Sequence, residues 1–310
     1  MKAVRRTDDG VAVVEVDDPP GSGELVRIRS ASICGGDLRH VGPGRPIIGH
    51  ELAGVREDGT AVVVEAVYGC MTCARCLQGR YNLCPTWLRR SLGVAIDGGM
   101  AEQFRAPAER LVALPAGLAV RDASLAEPAA VSWHGLRLGG TGPGSRVAVV
   151  GAGALGLLAV AGARRMGARH VALEARHPHQ REAGDLLGAS LGTGGRYDVV
   201  VEAAGSDASL ARAIELVAPG GSVVVLGAQF SEIRIDLQTL FIREARLVPS
   251  LGYCAHRDGS DLADAAAMLA ADPTIAAALI THRFPIEDAA EAFRVAGDRS
   301  LGAIRVVLEP

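Results

Sequence analysis

Hydrophobic and polar positions follow two different periods along the chain. From residue 1 to about residue 115, short apolar runs are separated by Gly, Pro and Asp, and in the run LVRIRS the apolar Val26 and Ile28 alternate with Arg27 and Arg29. Alternation with a period of two predicts strands that bury one face. The first part of the chain is therefore predicted to be mostly β.

A different pattern begins near residue 121 and continues to about residue 251. Apolar strand-like runs alternate there with amphipathic helical segments, and these runs are RVAVV, HVALE, YDVVVEA, SVVVLGA and EARLVPS. Strands that alternate with helices are typical of a doubly wound parallel sheet of the Rossmann type. The predicted fold class is therefore α/β, with a Rossmann sheet and a second, mostly β domain.

The last part of the chain changes pattern again. After about residue 260 it predicts two Ala-rich helices, DLADAAAMLAAD and IEDAAEAFRVAG, and a final strand, GAIRVVLE. We expect this tail to pack on the first, mostly β part. The sequence thus predicts one discontinuous domain, residues 1–120 and 255–310, into which residues 121–254 are inserted as a second domain.

Length and composition exclude several classes of protein. The chain has 310 residues, with 49% hydrophobic residues and a formal net charge of -3, which suits two ordinary globular domains. It has no basic patch and only 4% aromatic residues, which argues against nucleic-acid binding. The apolar stretch at residues 147–163 has the length of a membrane span, but its glycines favour a strand that runs into a helix. Because the opening MKAVRRTDDG lacks the apolar core of a signal peptide, we expect a cytoplasmic protein without a membrane partner.

Four clustered cysteines predict a structural zinc site. Cys70, Cys73, Cys76 and Cys84 follow the spacing C-x2-C-x2-C-x7-C in the run YGCMTCARCLQGRYNLC. Two-residue gaps allow neighbouring thiolates to converge on one ion, and zinc in structural sites prefers a closed tetrahedron of such ligands. A pair of disulfides is the alternative, and the reducing compartment expected for a chain without a signal peptide argues against it.

A glycine-rich turn predicts dinucleotide binding. Gly151, Gly153 and Gly156 have the G-x-G-x-x-G spacing after a predicted strand and at the start of a predicted helix. In this context the glycines allow a tight turn, close approach of a pyrophosphate and close packing of helix and strand. We therefore expect residues 121–254 to bind NAD or NADP.

The choice of dinucleotide depends on the end of the next strand, HVALEARHPHQR. If Glu174 occupies the position that bonds the adenosine ribose hydroxyls, NAD is favoured. If Ala175 occupies it, Arg176 and His177 offer positive charge to a 2'-phosphate. The basic cluster, which also includes His179, favours NADP, and NAD remains the alternative.

A second group of metal-type residues is spread along the sequence. Cys34 lies in SICGGDLRH, His50 and Glu51 lie in IIGHELAG, and Glu127 lies in LAEPAAVSWHG, each beside turn residues. A thiolate, an imidazole and a carboxylate with one position left open form the kind of zinc centre that polarises a carbonyl. Each residue also has a structural explanation, as a buried thiol, a core histidine or a carboxylate at a helix N-terminus.

Taken together, these motifs resemble the zinc-dependent alcohol dehydrogenases of the medium-chain dehydrogenase/reductase superfamily. The similar segments occur in order over nearly the whole chain, as ICGGD, IIGHE, the four-cysteine run, AEPAAVSWHG, VAVVGAGALG, DVVVEAAGS and LITHRFPIEDAAEAF. The resemblance implies that the mostly β domain is a GroES-like catalytic domain. It also implies that the catalytic zinc ligands are Cys34, His50 and Glu127, that Glu51 is a carboxylate able to approach the metal, and that Asp37 orients the histidine. Glutamate as third ligand is similar to the polyol, sugar and threonine dehydrogenase branches.

Two positions depart from the family pattern. Gly36 stands where the family carries a Ser or Thr whose hydroxyl relays the substrate proton, so His40, Glu51 or metal-bound water is expected to take over that role. His50 follows Cys34 by only 16 positions, which shortens a loop beside the expected substrate pocket.

The resulting hypothesis is a reversible hydride transfer between NAD(P) and a secondary alcohol or ketone, with one catalytic and one structural zinc ion. A polyol, a sugar or another hydroxylated metabolite is the expected substrate class, and the resemblance implies a homodimer or homotetramer. A zinc-independent reductase of the same superfamily is one alternative. A non-catalytic NADP-binding redox module is another, and Gly36 is the feature that supports it.

Overall fold

The computed structural model describes residues 1–8, 10–38, 46–227 and 232–310. In chain order its strands are β1 (Lys2–Thr7), β2 (Gly10–Glu15), β3 (Glu24–Ser32), β4 (Glu51–Arg56), β5 (Ala61–Val64), β6 (Gln103–Ala106), β7 (Leu111–Ala113), β8 (Arg146–Val150), β9 (His170–Glu174), β10 (Ser190–Leu191), β11 (Tyr197–Glu202), β12 (Val217–Val225), β13 (Arg246–Pro249), β14 (Ala255–His256), β15 (Gly259–Ser260), β16 (Ile280–Pro285) and β17 (Arg305–Glu309). Its α-helices are α1 (Ala74–Leu77), α2 (Ala126–Gly139), α3 (Ala154–Arg165), α4 (Pro178–Leu186), α5 (Asp207–Leu216), α6 (Leu237–Ile242), α7 (Asp261–Ala271), α8 (Thr274–Leu279) and α9 (Ala289–Gly297).

The chain divides into two compact units. The first, called here the barrel unit, comprises Met1–Glu127 and Cys254–Pro310, and the second, called here the sheet unit, comprises Pro128–Tyr253. Each has a buried apolar core of its own.

The barrel unit is built on a sheet with the strand order β16-β17-β3-β4-β5-β7, and β6 also pairs with β3. Neighbouring strands are antiparallel except for β16 and β17. In β3, Val26 and Ile28 are buried while Arg27 and Arg29 are exposed, as the alternation predicts. The buried side chains enter a core that also includes Phe293 of α9, so the tail packs on the first part of the chain.

The pairing of β3 with β4 places two sequence-distant segments at one end of this sheet. Ser32, the last residue of β3, is opposite Glu51, the first residue of β4. Cys34 therefore follows one strand at the same end at which His50 precedes the other. A third strand joins this end, because Val307 of β17 also pairs with Ser32.

The sheet unit has parallel strands in the order β10-β9-β8-β11-β12-β13. This is the order of a doubly wound dinucleotide-binding sheet, which confirms the predicted fold class. The apolar stretch at residues 147–163 forms most of β8 and α3, as predicted. Within the described ranges, the helices are too short or too polar to cross a membrane.

Some short elements were not predicted from the sequence. The two-residue strands β14 and β15 form a small hairpin, and the six-residue helix α8 connects α7 to β16. Elements this short carry too few residues for a hydrophobic period to distinguish them from loops.

Candidate functional site

The four-cysteine segment folds into a compact lobe. Cys73 caps the N-terminus of α1, Cys76 lies inside that helix, and Cys84 follows a short 3-10 turn at Tyr81–Leu83. The sulfur atoms of Cys70, Cys73, Cys76 and Cys84 all lie within 4.8 Å of one another, and all six cysteines of the chain are free thiols. The disulfide alternative is therefore wrong.

The geometry of the lobe fits a zinc ion. The Sγ atoms of Cys70 and Cys76 are 4.0 Å apart, close to the edge of about 3.8 Å expected for a tetrahedron with Zn–S bonds of about 2.3 Å. Backbone amides point at the sulfurs, since Cys73 N–H donates to Cys70 Sγ and Cys70 N–H donates to Cys84 Sγ, each at 3.3 Å. Hydrogen bonds from Thr72 lower the pKa of Cys70 to about 5, whereas burial raises the pKa of Cys76 to about 12. A bound metal ion would therefore have to displace the proton of Cys76, since ligation requires the thiolate.

A buried arginine connects this lobe to the barrel. Arg110 Nη1 lies 3.0 Å from Glu65 Oε2, and the two side chains are 5% and 8% exposed. The Tyr81 hydroxyl donates to the same carboxylate, and the Arg110 guanidinium lies over the rings of Tyr68 and Tyr81 at 4.9 and 5.0 Å. Arg110 Nη2 is also 2.8 Å from the sulfur of Met71, inside the cysteine run.

The second cluster, called here the open site, lies where β3 ends and β4 begins. The possible ligand atoms of Cys34, His50 and Glu51 lie within 4.8 Å of one another. A thiol, an imidazole and a carboxylate at this separation suit zinc, so the residues fit the metal that the sequence predicts. The structure thus brings together residues of two segments that are 16 positions apart.

Asp37 supports both of the first two residues. Its Oδ2 accepts a hydrogen bond of 3.0 Å from the Cys34 amide, and its Oδ1 lies 3.7 Å from His50 Nδ1. A carboxylate beside one ring nitrogen directs the other nitrogen toward a metal, which is the role predicted for Asp37.

The charges of the open site act strongly on one another. Burial raises the pKa of Cys34, and the neighbouring His50 opposes this shift. Burial lowers the pKa of His50, but Asp37 and then Cys34 outweigh it, so the pKa lies well above its ordinary value. A metal ion would replace the proton at both groups, because ligation requires a thiolate and a neutral imidazole.

Glu51 is held on its other side by the barrel. Arg305 Nη1 lies 3.0 Å from Oε1 and 2.9 Å from Oε2 of Glu51, and the Ser32 hydroxyl also donates to this carboxylate. The side chains of Arg305 and Glu51 are only 6% and 1% exposed. The Arg305 guanidinium also donates to the carbonyl of Ile33, one residue before Cys34.

Glu127, the predicted third ligand, lies in the first turn of α2 and is buried. It is not part of the group that shares the 4.8 Å limit. Burial raises its pKa to about 8, with His50 opposing and Glu51 adding to the shift. Its role as a ligand stays a prediction.

Gly36, which lacks the expected relay hydroxyl, lies beside the sulfur of Cys34. The Gly36 amide donates to Cys34 Sγ at 3.4 Å, and a Cβ added at Gly36 would meet that sulfur at 3.6 Å, an ordinary contact. The backbone at Gly36 would therefore accommodate a serine side chain. No steric constraint in the fold explains why the hydroxyl is missing. His40 lies outside the described residues.

The glycine-rich turn of the sheet unit has the shape predicted for it. Gly151 has φ of +105°, and a Cβ there would lie 2.8 Å from Cβ of Ala204. A Cβ at Gly156 would overlap the carbonyl oxygen of Gly151, whereas one at Gly153 would meet nothing within 4 Å. Gly153 caps α3, so open space adjoins the helix N-terminus. This cradle fits a pyrophosphate.

At the end of β9, the acidic and basic candidates differ in their contacts. Glu174 is the last residue of the strand, and Arg212 Nε of α5 lies 2.9 Å from its Oε1. Among the described residues, Arg176 is exposed and makes no hydrogen bond or ion pair. His177 caps α4, and its ring stacks on that of His179 at 5.6 Å.

Sequence reasoning did not single out Arg305, Ser32 or Arg110. One signal was available, because Arg305 is the single charge inside the apolar run AIRVVL, where a buried ion pair is the usual explanation. Its partner could not be read from the sequence, since Glu51 lies 254 positions away.

Two family profiles match the chain. The family described as Alcohol dehydrogenase GroES-like domain matches residues 21–116, and the family described as Zinc-binding dehydrogenase matches residues 154–270. The first match falls in the barrel unit, and the second falls mostly in the sheet unit.

Individual relatives cover almost the whole chain. It is 30% identical over 308 residues to L-galactonate-5-dehydrogenase of Escherichia coli (strain K12), with 88% of each chain covered. It is 29% identical over 347 residues to L-arabinitol 4-dehydrogenase of Aureobasidium melanogenum, covering 99% of this chain and 92% of that protein. The solved structure of a zinc-binding dehydrogenase from Sinorhizobium meliloti 1021 bound to NADP has a TM-score of 0.88 and 27% identity, with 100% of this chain and 99% of that chain covered.

Proposed function

Because this chain belongs to the zinc-dependent alcohol dehydrogenase family of the medium-chain dehydrogenase/reductase superfamily, we propose that it interconverts a secondary alcohol and a ketone with NADP as hydride carrier. The observation that carries the proposal is the open site, where Cys34, His50 and Glu51 converge within 4.8 Å beside a buried arginine. A lone structural zinc site would not need such a cluster.

Each residue of the open site has a proposed part. Cys34, His50 and Glu127 would hold a zinc ion, which when bound supplies a Lewis acid for the substrate oxygen. Asp37 fixes the tautomer and the orientation of His50. Glu51, held by Arg305 and Ser32, keeps a carboxylate within reach of the ligands, where it is able to accept a proton.

The glycine cradle supports the hydride carrier. Gly153 leaves room for a pyrophosphate, and the N-terminus of α3 supplies partial positive charge. The exposed Arg176 favours NADP, which is the dinucleotide bound to the Sinorhizobium meliloti neighbour. NAD remains the alternative cofactor.

A polyhydroxylated substrate is the proposed class. The two curated relatives are named for L-galactonate and L-arabinitol, a sugar acid and a polyol. A glutamate at the predicted third ligand position points the same way. We therefore propose a polyol, a sugar or a hydroxylated metabolite as substrate.

Zinc content tests the proposal before any substrate is known. Wild type should contain two zinc ions per chain by elemental analysis, and Cys34→Ala should contain one. Ser300→Ala is the control, because Ser300 is exposed and belongs to none of the candidate metal groups among the described residues, and it should keep two. One zinc ion in all three proteins would refute the open site as a metal centre.

Activity would then be measured as formation of NADPH with a panel of polyols and sugar acids, and as its consumption with the matching ketones. Turnover by wild type and none by Cys34→Ala is the expected result. Bound dinucleotide without exchange of hydride, despite two zinc ions, would favour the non-catalytic module.

We also propose a cytoplasmic homodimer or homotetramer. Closed symmetric assemblies are the usual form of soluble homo-oligomers. Light scattering coupled to gel filtration measures the mass, and a single chain of 32.0 kDa would contradict the proposed assembly.

A further inference from the structure

The carboxylate at the end of β9 is tied into a closed network. Glu174 Oε1 accepts hydrogen bonds from Arg212 Nε at 2.9 Å and from the Thr193 hydroxyl, and Arg212 Nη2 lies 3.0 Å from Thr193 Oγ1. Three separate elements meet here, namely the strand β9, the loop after β10 and the helix α5. Arg212 Nη1 also lies 3.0 Å from Oε2 of the exposed Glu215, a surface ion pair of the kind that contributes little energy.

The position of Glu174 gives this network a functional meaning. In a doubly wound sheet, an acidic side chain at the end of the second strand bonds the ribose hydroxyls of NAD and repels the 2'-phosphate of NADP. Glu174 is the last residue of that strand, so it is a candidate for both effects. Its carboxylate instead points at a guanidinium and a hydroxyl.

The nearby Arg176, unlike Glu174, has no partner among the described residues. Arg176 lies two positions further on, and among the described residues it has no hydrogen bond or ion pair. The negative charge at this strand end is therefore neutralised by α5, while a guanidinium suited to a phosphate remains available.

From this contrast we infer that Arg212, with Thr193, is a specificity-determining residue that acts by positioning: it keeps Glu174 away from the adenosine ribose and thereby sets the preference for NADP over NAD. The inference rests on the proposed function, because it presupposes that the sheet unit binds a dinucleotide. Arg212 lies on α5, so the residue that sets the cofactor preference would lie outside the end of β9, where the residues that contact the ribose are found.

The test measures binding rather than turnover. Dissociation constants of NADPH and NADH are determined by calorimetry for wild type and for Arg212→Met, which keeps the apolar part of the side chain and removes the guanidinium. The ratio of the NADH constant to the NADPH constant should fall about tenfold in the variant, because one charge-assisted hydrogen bond has about this value. The released Glu174 carboxylate should strengthen the binding of NADH, through the ribose hydroxyls, and weaken the binding of NADPH, through repulsion of the 2'-phosphate.

Two further variants separate this effect from damage to the fold. Adding Glu174→Gln to Arg212→Met should restore the wild-type ratio, since the released carboxylate is then gone. Glu215→Gln removes the other carboxylate partner of Arg212 and should leave the ratio unchanged.

The possible failures are distinct. An unchanged ratio in Arg212→Met, or equal weakening of both dinucleotides that Glu174→Gln does not rescue, would overturn the inference. Tighter binding of NADH than of NADPH by wild type would overturn it too, because Glu174 would then engage the cofactor. A wild type that binds neither dinucleotide would instead overturn the proposed function.

Discussion

The two clusters of metal-type residues in the barrel unit are built in different ways. The lobe takes its four sulfurs from one short run of sequence, whereas the open site takes its residues from the ends of two strands. Four thiolates close a coordination shell and leave no position for a substrate, while a mixed set with fewer ligands leaves one open. The comparison teaches that local spacing is sufficient to bring the four lobe cysteines together, whereas the proposed reactive site depends on the register of the sheet.

A buried arginine–glutamate ion pair lies beside each of the two clusters. Each has a buried arginine paired with a buried glutamate at about hydrogen-bond distance, Arg110 with Glu65 beside the lobe and Arg305 with Glu51 at the open site. In the lobe the pair is next to the ligands, but in the open site one member of the pair is itself a possible ligand. The same ion pair is therefore expected to affect stability in one place and both stability and catalysis in the other.

The largest expected effect comes from His50→Ala. Loss of the imidazole removes a proposed metal ligand of the open site, so turnover should fall by at least about 10³-fold, which corresponds to several kcal/mol of transition-state stabilisation. Steady-state kinetics with the best substrate of the panel measures it. The Kd for NADPH should stay within about twofold of wild type, and normal turnover would remove the open site from the mechanism.

Cys76→Ser should have the next largest effect, and it should act on stability. Structural zinc contributes folding free energy directly, so loss of this ligand should lower the free energy of unfolding by more than about 5 kcal/mol. The melting temperature, measured by calorimetry, should fall by about 10 °C or more. Thr72→Ala, beside the same sulfurs, is the control with a small effect, and a Cys76→Ser protein that retains two zinc ions would contradict the closed lobe.

Matched arginine substitutions sharpen the comparison further. At pH 8, which is above the pKa of Glu65, Arg305→Met and Arg110→Met each leave a buried carboxylate without its cation, so both should lower the free energy of unfolding by about 3–5 kcal/mol. Urea denaturation measures this quantity. Only Arg305→Met should also reduce the turnover of the folded fraction, since Glu51 belongs to the open site. Equal turnover in the two variants would mean that the two ion pairs have the same, purely structural role.

The smallest effect is a pH dependence on the lobe side. Burial raises the pKa of Glu65 to about 7, with Arg110 opposing the shift and Asp261 adding to it. The folded state thus holds this proton more tightly than the unfolded state, whose carboxyl has a pKa near 4.5. The stability contributed by Glu65 is complete below pH 4.5 and is lost as the pH rises through 7, by at most about 1.4 kcal/mol per pH unit.

Glu65→Gln removes this titration. Relative to wild type, the variant should therefore gain stability between pH 5 and pH 8, as measured by urea denaturation at each pH. Glu24→Gln, at a more exposed ion pair, is the control. A constant difference between Glu65→Gln and wild type over this range would show that Glu65 stays ionised throughout.

The features that the sequence predicts correctly are those encoded by near neighbours. The spacing of Cys70 to Cys84, the turn at Gly151 and the alternation at Val26 and Ile28 each depend on a few adjacent positions. The structure of each feature is decided by local chain geometry and by the periods of strands and helices. Both can be inferred from the spacing of residues in a single sequence.

The features that the sequence does not predict depend on which distant segments become neighbours. The contacts of Glu51 with Arg305 and of Glu174 with Arg212 join residues on different elements. Burial then selects the partner, because a charge that leaves water requires one. The sequence identifies the charged residues, but the topology decides which of them meet.

The register of β3 and β4 also has a consequence for how such an enzyme changes over time. Because Ser32 and Glu51 are paired directly, the chain leaves the sheet after one strand and returns to it at the same point. Insertions and deletions in the segment between Asp37 and Ile47 are therefore expected to leave Cys34 and His50 in place. The length of this segment is therefore expected to be able to change during evolution while the ends of β3 and β4, and with them the proposed metal centre, stay paired.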